Sequence, residues 1–275
     1  MNKHTKFHFY NFQIVFSKYY PNIDTPNHKF LEWFIGFSEG NDCFAIKNYL
    51  NKDKHCSNFH FIITQSNKNI QTLYFIKNKL GFGKVIKQNK NISQYIIEDK
   101  QDICIIINLF NGNIVLPKTL LIYSKWIKFF NHSNNTNFYI KKHIILPQFN
   151  DYWISGFTDA QGYCKYSILK NPKFYRYQFI IILKGKENIP ILIQIKKVLG
   201  GKVLSHSVNN IYKLVINGVN NITNVIKYFD QYQLITSKNK SYYLWKNIGE
   251  DILNKKHLIS KYNKELKMKS QFFKK

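Results

Sequence analysis

The sequence predicts an α+β protein assembled from two tandem copies of one α-β-β-α-β-β-α unit, each copy with a four-stranded antiparallel sheet. Three observations carry this. The segment Leu31-Glu-Trp-Phe-Ile-Gly36-Phe-Ser-Glu-Gly40 returns as Asp151-Tyr-Trp-Ile-Ser-Gly156-Phe-Thr-Asp-Ala160, with Trp33 and Trp153, and Gly36 and Gly156, 120 positions apart. The turn Leu80-Gly81-Phe82-Gly83-Lys84-Val85 returns as Leu199-Gly200-Gly201-Lys202-Val203, and Phe110 returns as Phe229, both at an offset of 119. The landmarks keep their order at near-constant spacing, which marks a duplication.

Each copy opens with a helix. Gly36 and Gly40 lie four apart, as do Gly156 and Ala160, so small residues line one helix face. A glycine inside a helix costs about 1 kcal/mol relative to alanine. That cost recurs in both copies, which points to two helices packed closely on each other about a pseudo-two-fold axis with their C-terminal ends together. Two strands follow, 43–50 with 58–65 in the first copy and 163–169 with 175–183 in the second. A helix comes next, with Ile70, Leu73, Ile76 and Leu80 at helical spacing, matched by Leu192, Ile195 and Leu199. The Gly turn leads to a second strand pair, 84–88 with 94–98 and 202–206 with 211–216, and helices close each unit. The polar run 132–137 reads as loop. The resulting division is a basic, aromatic extension (1–30), a first half (31–131), a linker (132–150), a second half (151–262) and a basic tail (263–275).

The composition narrows the partners. A hydrophobic fraction of 44% supports a full core, and 41 basic against 15 acidic residues give a formal net charge of +26. Such a surface repels cations and concentrates polyanions. A metabolic enzyme for small neutral substrates is disfavoured; nucleic acid leads, ahead of an anionic membrane surface. Arg176 is the single arginine among many lysines, and Lys, Asn, Ile, Phe and Tyr dominate. An AT-rich genome produces that bias, so an organelle gene is expected, with the mitochondrion as compartment. The first residues carry neither the repeated arginines of a transit peptide nor an apolar signal core, which fits synthesis inside the organelle. Cys43, Cys56, Cys104 and Cys164 form no CxxC pair and read as buried apolar residues. No apolar run reaches membrane-spanning length.

The strand 175–184 shows how such a sheet could bind a polyanion. Tyr175, Tyr177, Phe179, Ile181 and Leu183 share the face suited to the core, while Arg176, Gln178 and Lys184 share the other with Ile180 and Ile182 between them. A polar, basic sheet face suits phosphate and base-edge contact. Lys84 and Lys202, at the duplicated Gly turns, join these candidates. Aromatics interleaved with lysines at both chain ends (Lys3, Phe7, Phe9, Tyr10; Lys267, Lys269, Phe272, Phe273, Lys274) suit base stacking combined with phosphate contact.

The segments Phe34-Ile-Gly-Phe-Ser-Glu-Gly-Asn-Asp42 and Ile154-Ser-Gly-Phe-Thr-Asp-Ala-Gln-Gly162 resemble the nine-residue motif of the LAGLIDADG homing endonuclease and maturase family. The resemblance runs through both halves, and a pair of motifs at family spacing is far more specific than one. It implies two antiparallel sheets forming a saddle whose concave face lies along double-stranded DNA. It also implies Mg²⁺ held by one acid at the eighth position of each motif. Lys118 and Lys238, 120 apart, resemble the family's basic residues beside the cleavage site.

The departure falls on the eighth positions, occupied here by Asn41 and Gln161. Glu39 and Asp159 stand at the sixth position, a helix-end position in the family, and Asp42 at the ninth, the usual glycine. Mg²⁺ prefers charged oxygen, and two-metal hydrolysis needs its charge to activate water and stabilise the leaving oxygen. The expectation is therefore a non-cleaving, monomeric nucleic-acid binder without a cofactor, with RNA favoured over double-stranded DNA. It would act as an intron maturase or be recruited to the mitochondrial ribosome, with ribosomal RNA and ribosomal proteins as partners. The competing expectation is a working Mg²⁺-dependent homing endonuclease using Glu39, Asp159 or Asp42 through a shifted register.

Overall fold

Asn27 starts the first motif helix by accepting a hydrogen bond from the Phe30 amide at 2.9 Å, satisfying one of the free donors of a helix start. The computed structural model describes residues 6–51, 54–168 and 175–273. Its elements run α1 (Tyr10–Tyr19), α2 (His28–Glu39), β1 (Phe44–Asn51), β2 (Lys54–Ser66), α3 (Ile70–Leu80), β3 (Lys84–Lys87), β4 (Ile92–Ile97), α4 (Lys100–Phe110) and α5 (Pro117–Asn134). The repeat follows as α6 (Trp153–Gln161), β5 (Gly162–Ile168), β6 (Tyr175–Lys184), α7 (Ile189–Leu199), β7 (Lys202–Ser205), β8 (Ile211–Asn217), α8 (Thr223–Gln231) and α9 (Lys238–Leu253), with α10 (Ser260–Gln271) last. Two antiparallel four-stranded sheets have orders β1-β2-β4-β3 and β5-β6-β8-β7, the α+β duplication expected from the sequence.

The chain divides into two compact units. The first comprises Met1–Pro147 with Asp151–Ala160, and the second Gln148–Asn150 with Gln161–Lys275. In the first, Phe34, Phe44, Phe61 and Phe110 form an aromatic cluster that Phe44 joins to Trp126, with Phe44 5.1 Å from Phe110 and 5.2 Å from Trp126 between ring centroids. The second repeats the scheme: Phe179 lies 5.4 Å from Phe229, and Tyr177 stacks on Trp245 at 4.3 Å.

Hydrogen bonds show the duplication atom by atom. The Trp126 indole donates to the Ala45 carbonyl at 3.0 Å, and the Trp245 indole to the Lys165 carbonyl at 3.3 Å. Likewise the Tyr123 hydroxyl donates to Ile107 at 2.8 Å and that of Tyr242 to Ile226 at 3.3 Å. Each pins a closing helix to the equivalent element of its own unit.

The structure corrects several boundaries. The region read as a basic extension contains α1, whose Phe12 and Phe16 are fully buried in the first unit, because their i, i+4 spacing makes one apolar stripe. The region read as a basic tail lies mostly in α10, which packs against β5 and buries Leu266. The linker starts late: α5 runs to Asn134, and the chain turns at Asn135, whose φ of 50° ends the helix in the left-handed region. Cys43 is buried, but the free thiols Cys104 and Cys164 are only half-buried, and the side chain of Cys56 lies outside those described.

Candidate nucleic-acid interface

The first motif helix, α2, is buried on nearly every side from Phe30 to Glu39, as a helix must be when it runs through a core. Its partner in the same unit is α6. A Cβ added at Gly36 would strike the Trp153 carbonyl oxygen and lie 2.9 Å from the Phe157 nitrogen. One added at Gly156 would strike the Trp33 carbonyl oxygen and lie 2.9 Å from the Phe37 nitrogen. The contacts are reciprocal, and backbone touches backbone at both, so Gly36 and Gly156 perform the packing role read from the sequence. Gly40 caps α2, with its amide donating to Gly36, and Ala160 falls in the last turn of α6.

The sixth-position acids bind the chain's own donors. The Glu39 carboxylate accepts the Trp153 indole at 2.7 Å, the Leu116 amide at 2.8 Å and the Val115 amide at 3.2 Å. Burial pushes its pKa up to about 7, against the lowering effect of these hydrogen bonds. Asp159 accepts the Trp33 indole at 2.9 Å, completing the reciprocal pair across the helix seam.

At the eighth position of the first motif, the Asn41 Nδ2 donates to the Phe37 carbonyl at 2.6 Å, and its Oδ1 accepts from Gln65 at 3.0 Å. Both ends of the amide are thus occupied inside the first unit. Asp42 has a φ of 48°, in the left-handed region where glycine is at ease and Asp is tolerated. That is a physical reason for a glycine at the ninth position. Here the exposed Asp42 carboxylate is anchored 3.1 Å from Lys118 instead. Gln161 closes α6 and is exposed. Lys238, the counterpart of Lys118, donates to the Gly162 carbonyl at 2.8 Å. Each lysine therefore grips the end of the motif in its own unit.

The second sheet confirms the alternation read along β6. Tyr177, Phe179, Ile181 and Leu183 are buried, Arg176 and Lys184 are exposed and Gln178 is half-buried, while Ile180 on the outward face is also largely covered. Register adds residues that a single strand could not reveal. Gln178 stands opposite Lys165 and Asn217, Ile182 opposite Lys213, and Val215 opposite Lys202. Paired residues share a face, so Lys165, Arg176, Lys184, Lys202 and Lys213 form one basic surface, and the four strands contain no acid. Lys165 and Lys213 were missed because placing them needs cross-strand pairing. The first sheet differs: Lys84 is ion-paired with Glu98, whose other oxygen lies 3.5 Å from His60.

The LAGLIDADG endonuclease family model matches residues 34–130 and 154–249. The chain belongs to that family. This LAGLIDADG protein is 33% identical over 247 residues to "Probable intron-encoded endonuclease 4" of Neurospora crassa, covering 85% of this chain and 44% of that relative. It thus spans less than half the length of that relative. Over 154 residues, 56% of this chain and 22% of the relative, it is 28% identical to "Intron-encoded RNA maturase bI4" of Saccharomyces cerevisiae. Among solved structures, the LAGLIDADG homing endonuclease I-GzeII in complex with its DNA target aligns with a TM-score of 0.74 at 20% identity, covering 87% of this chain and 97% of that one. I-SmaMI bound to cleaved DNA aligns at 0.73 with 19% identity, covering 87% and 95%. These likenesses show the fold.

Proposed function

We propose that this LAGLIDADG protein grips nucleic acid without cutting it, and that its target is structured RNA in the mitochondrion, as an intron maturase or at the ribosome. The observation that carries the reading is the pair of amides at the eighth motif positions, Asn41 and Gln161. The donor set does not fit Mg²⁺. Asn41 is neutral and hydrogen-bonded at both ends, and the buried sixth-position carboxylates Glu39 and Asp159 are engaged by indole and amide donors. A hard cation needs charged oxygens that are free to turn towards it.

The same exchange favours binding. A carboxylate about 4 Å from a phosphate repels it by roughly 4 kcal/mol at an effective dielectric near 20, and an amide removes that repulsion. The basic face of the second sheet supplies the attraction, with Lys118 and Lys238 bracing the motif ends. The maturase relative supports RNA, and relatives named for cox1 and ND4 introns support an organelle origin. Relatives named as endonucleases favour the alternative, duplex DNA cleavage with Mg²⁺.

Plasmid nicking in Mg²⁺ and Mn²⁺ separates the two. The wild-type protein is expected to leave plasmid intact while binding intron RNA. Asn41→Asp combined with Gln161→Glu is expected to restore some nicking. Robust double-strand cutting by the wild type would overturn the proposal.

A further inference from the structure

We propose that the second unit holds a pocket for a single unpaired adenine of its RNA. A cavity of about 620 Å³ opens where the outward face of β6, β7 and β8 meets the turn before β7 and the loop leading to α8. Its volume falls in the range of small-molecule sites. Leu204 and Val215 give it an apolar wall, and Gln178, Asn217, Asn224 and Lys202 supply the polar part of its lining. A Cβ added at Gly200 would meet nothing within 4 Å, so the turn leaves the mouth open.

The lining chemistry suits a nucleobase. Asparagines elsewhere clamp backbone, as Asn67, Asn111 and Asn131 do. By contrast, the carboxamides of Gln178, Asn217 and Asn224 make no hydrogen bond to the described residues. Asn221 holds the loop in place, donating to the Asn217 carbonyl at 2.8 Å. A carboxamide offers a donor and an acceptor side by side, which matches the N6 and N7 edge of adenine. Guanine presents N1–H and N2–H donors that a carboxylate would best accept, and no carboxylate lines this cavity. The apolar wall suits the flat face of a base, and Lys202 with the neighbouring Lys213 suits the flanking phosphates. In an A-form duplex the N6 and N7 edge lies at the floor of a deep, narrow major groove and the base faces are stacked, so the occupant must be extruded, as in bulges and loops of RNA.

The inference rests on the RNA reading above, and its test separates the two. Full-length protein is titrated by fluorescence anisotropy against an RNA hairpin with one bulged adenosine, the same hairpin fully paired, and versions with bulged guanosine or uridine. The bulged-adenosine hairpin is expected to bind roughly tenfold tighter than the paired one, and tighter than the other bulges. Asn217→Ala with Asn224→Ala is expected to remove that preference while leaving affinity for the paired hairpin unchanged. Leu204→Trp, which fills the cavity, is expected to do the same and decides the matter if the first variant fails to fold. Equal binding of bulged and paired hairpins, or a preference that survives both variants, overturns the pocket alone. Failure to bind any hairpin while duplex DNA still binds overturns the RNA reading and the pocket with it.

Discussion

Replacing Gly156 by alanine sets two physical tendencies against each other. Helix propensity favours the change by about 1 kcal/mol. Packing opposes it, because the new methyl would strike the Trp33 carbonyl oxygen, 2.7 Å from its carbon and 2.9 Å from the Phe37 nitrogen. Carbon contacts relax only near roughly 3.5–4.0 Å, so α2 and α6 must part by roughly 1 Å or more, the Trp33 carbonyl oxygen setting the limit. A gap of that size forfeits a quarter to a half of the dispersion attraction along the seam, where Trp33, Phe37, Trp153 and Phe157 are fully buried. It also stretches the indole bonds to Glu39 and Asp159, and a weakened bond to a buried acid costs about 1–3 kcal/mol. Net destabilisation of about 2–4 kcal/mol is expected for Gly156→Ala, and a similar loss for Gly36→Ala. Urea denaturation followed by tryptophan fluorescence measures it directly. Unchanged or increased stability would show that the helices do not touch at these glycines.

Further outcomes follow from the same contacts. Glu39 titrates at about 7 when folded against 4.5 unperturbed, so its contribution is full below about pH 4.5 and is lost as pH rises to 7, by about 3 kcal/mol. Glu39→Gln should flatten the stability profile between pH 5 and 8, and an unaltered gradient counts against the raised value. Affinity for duplex or structured nucleic acid should fall steeply with salt, by about 0.9 log units per log unit of salt for each phosphate neutralised on a duplex; a flat titration removes the basic face from the account. Lys165→Ala with Lys213→Ala should reduce that slope by about 2 with the melting temperature unchanged, whereas Lys84→Ala should alter binding little because its ammonium is paired with Glu98. Lys238→Ala should weaken binding; unchanged affinity would leave it only the task of holding Gly162.

Much of the fold is legible in the sequence because the duplication supplies an internal alignment. Gly36 with Gly156, and Leu80 with Leu199, fix the register of the halves, and strand edges read from alternation fall within a few residues of those observed. What escapes is what depends on partners far along the chain. Nothing near Glu39 announces that Val115, Leu116 and Trp153 will claim its oxygens. Lys165 and Lys213 join the basic face only through pairing with β6 and its neighbours. The aromatic stripe of α1 lay hidden in a segment whose charge drew attention to its surface. The polar end of α5 reads as loop because Asn and Ser favour turns, yet Asn134 bonds back to the Phe130 carbonyl at 3.1 Å and the helix continues.

The exchange of indoles between the motif helices has a consequence for biogenesis. Until Trp153 has left the ribosome, Glu39 lacks its indole donor, and Asp159 arrives six residues later to claim Trp33. The amino-terminal half is therefore no separable module. A message interrupted within residues 135–150 would yield a product with an incomplete centre and an exposed glycine face, marked out for proteolysis.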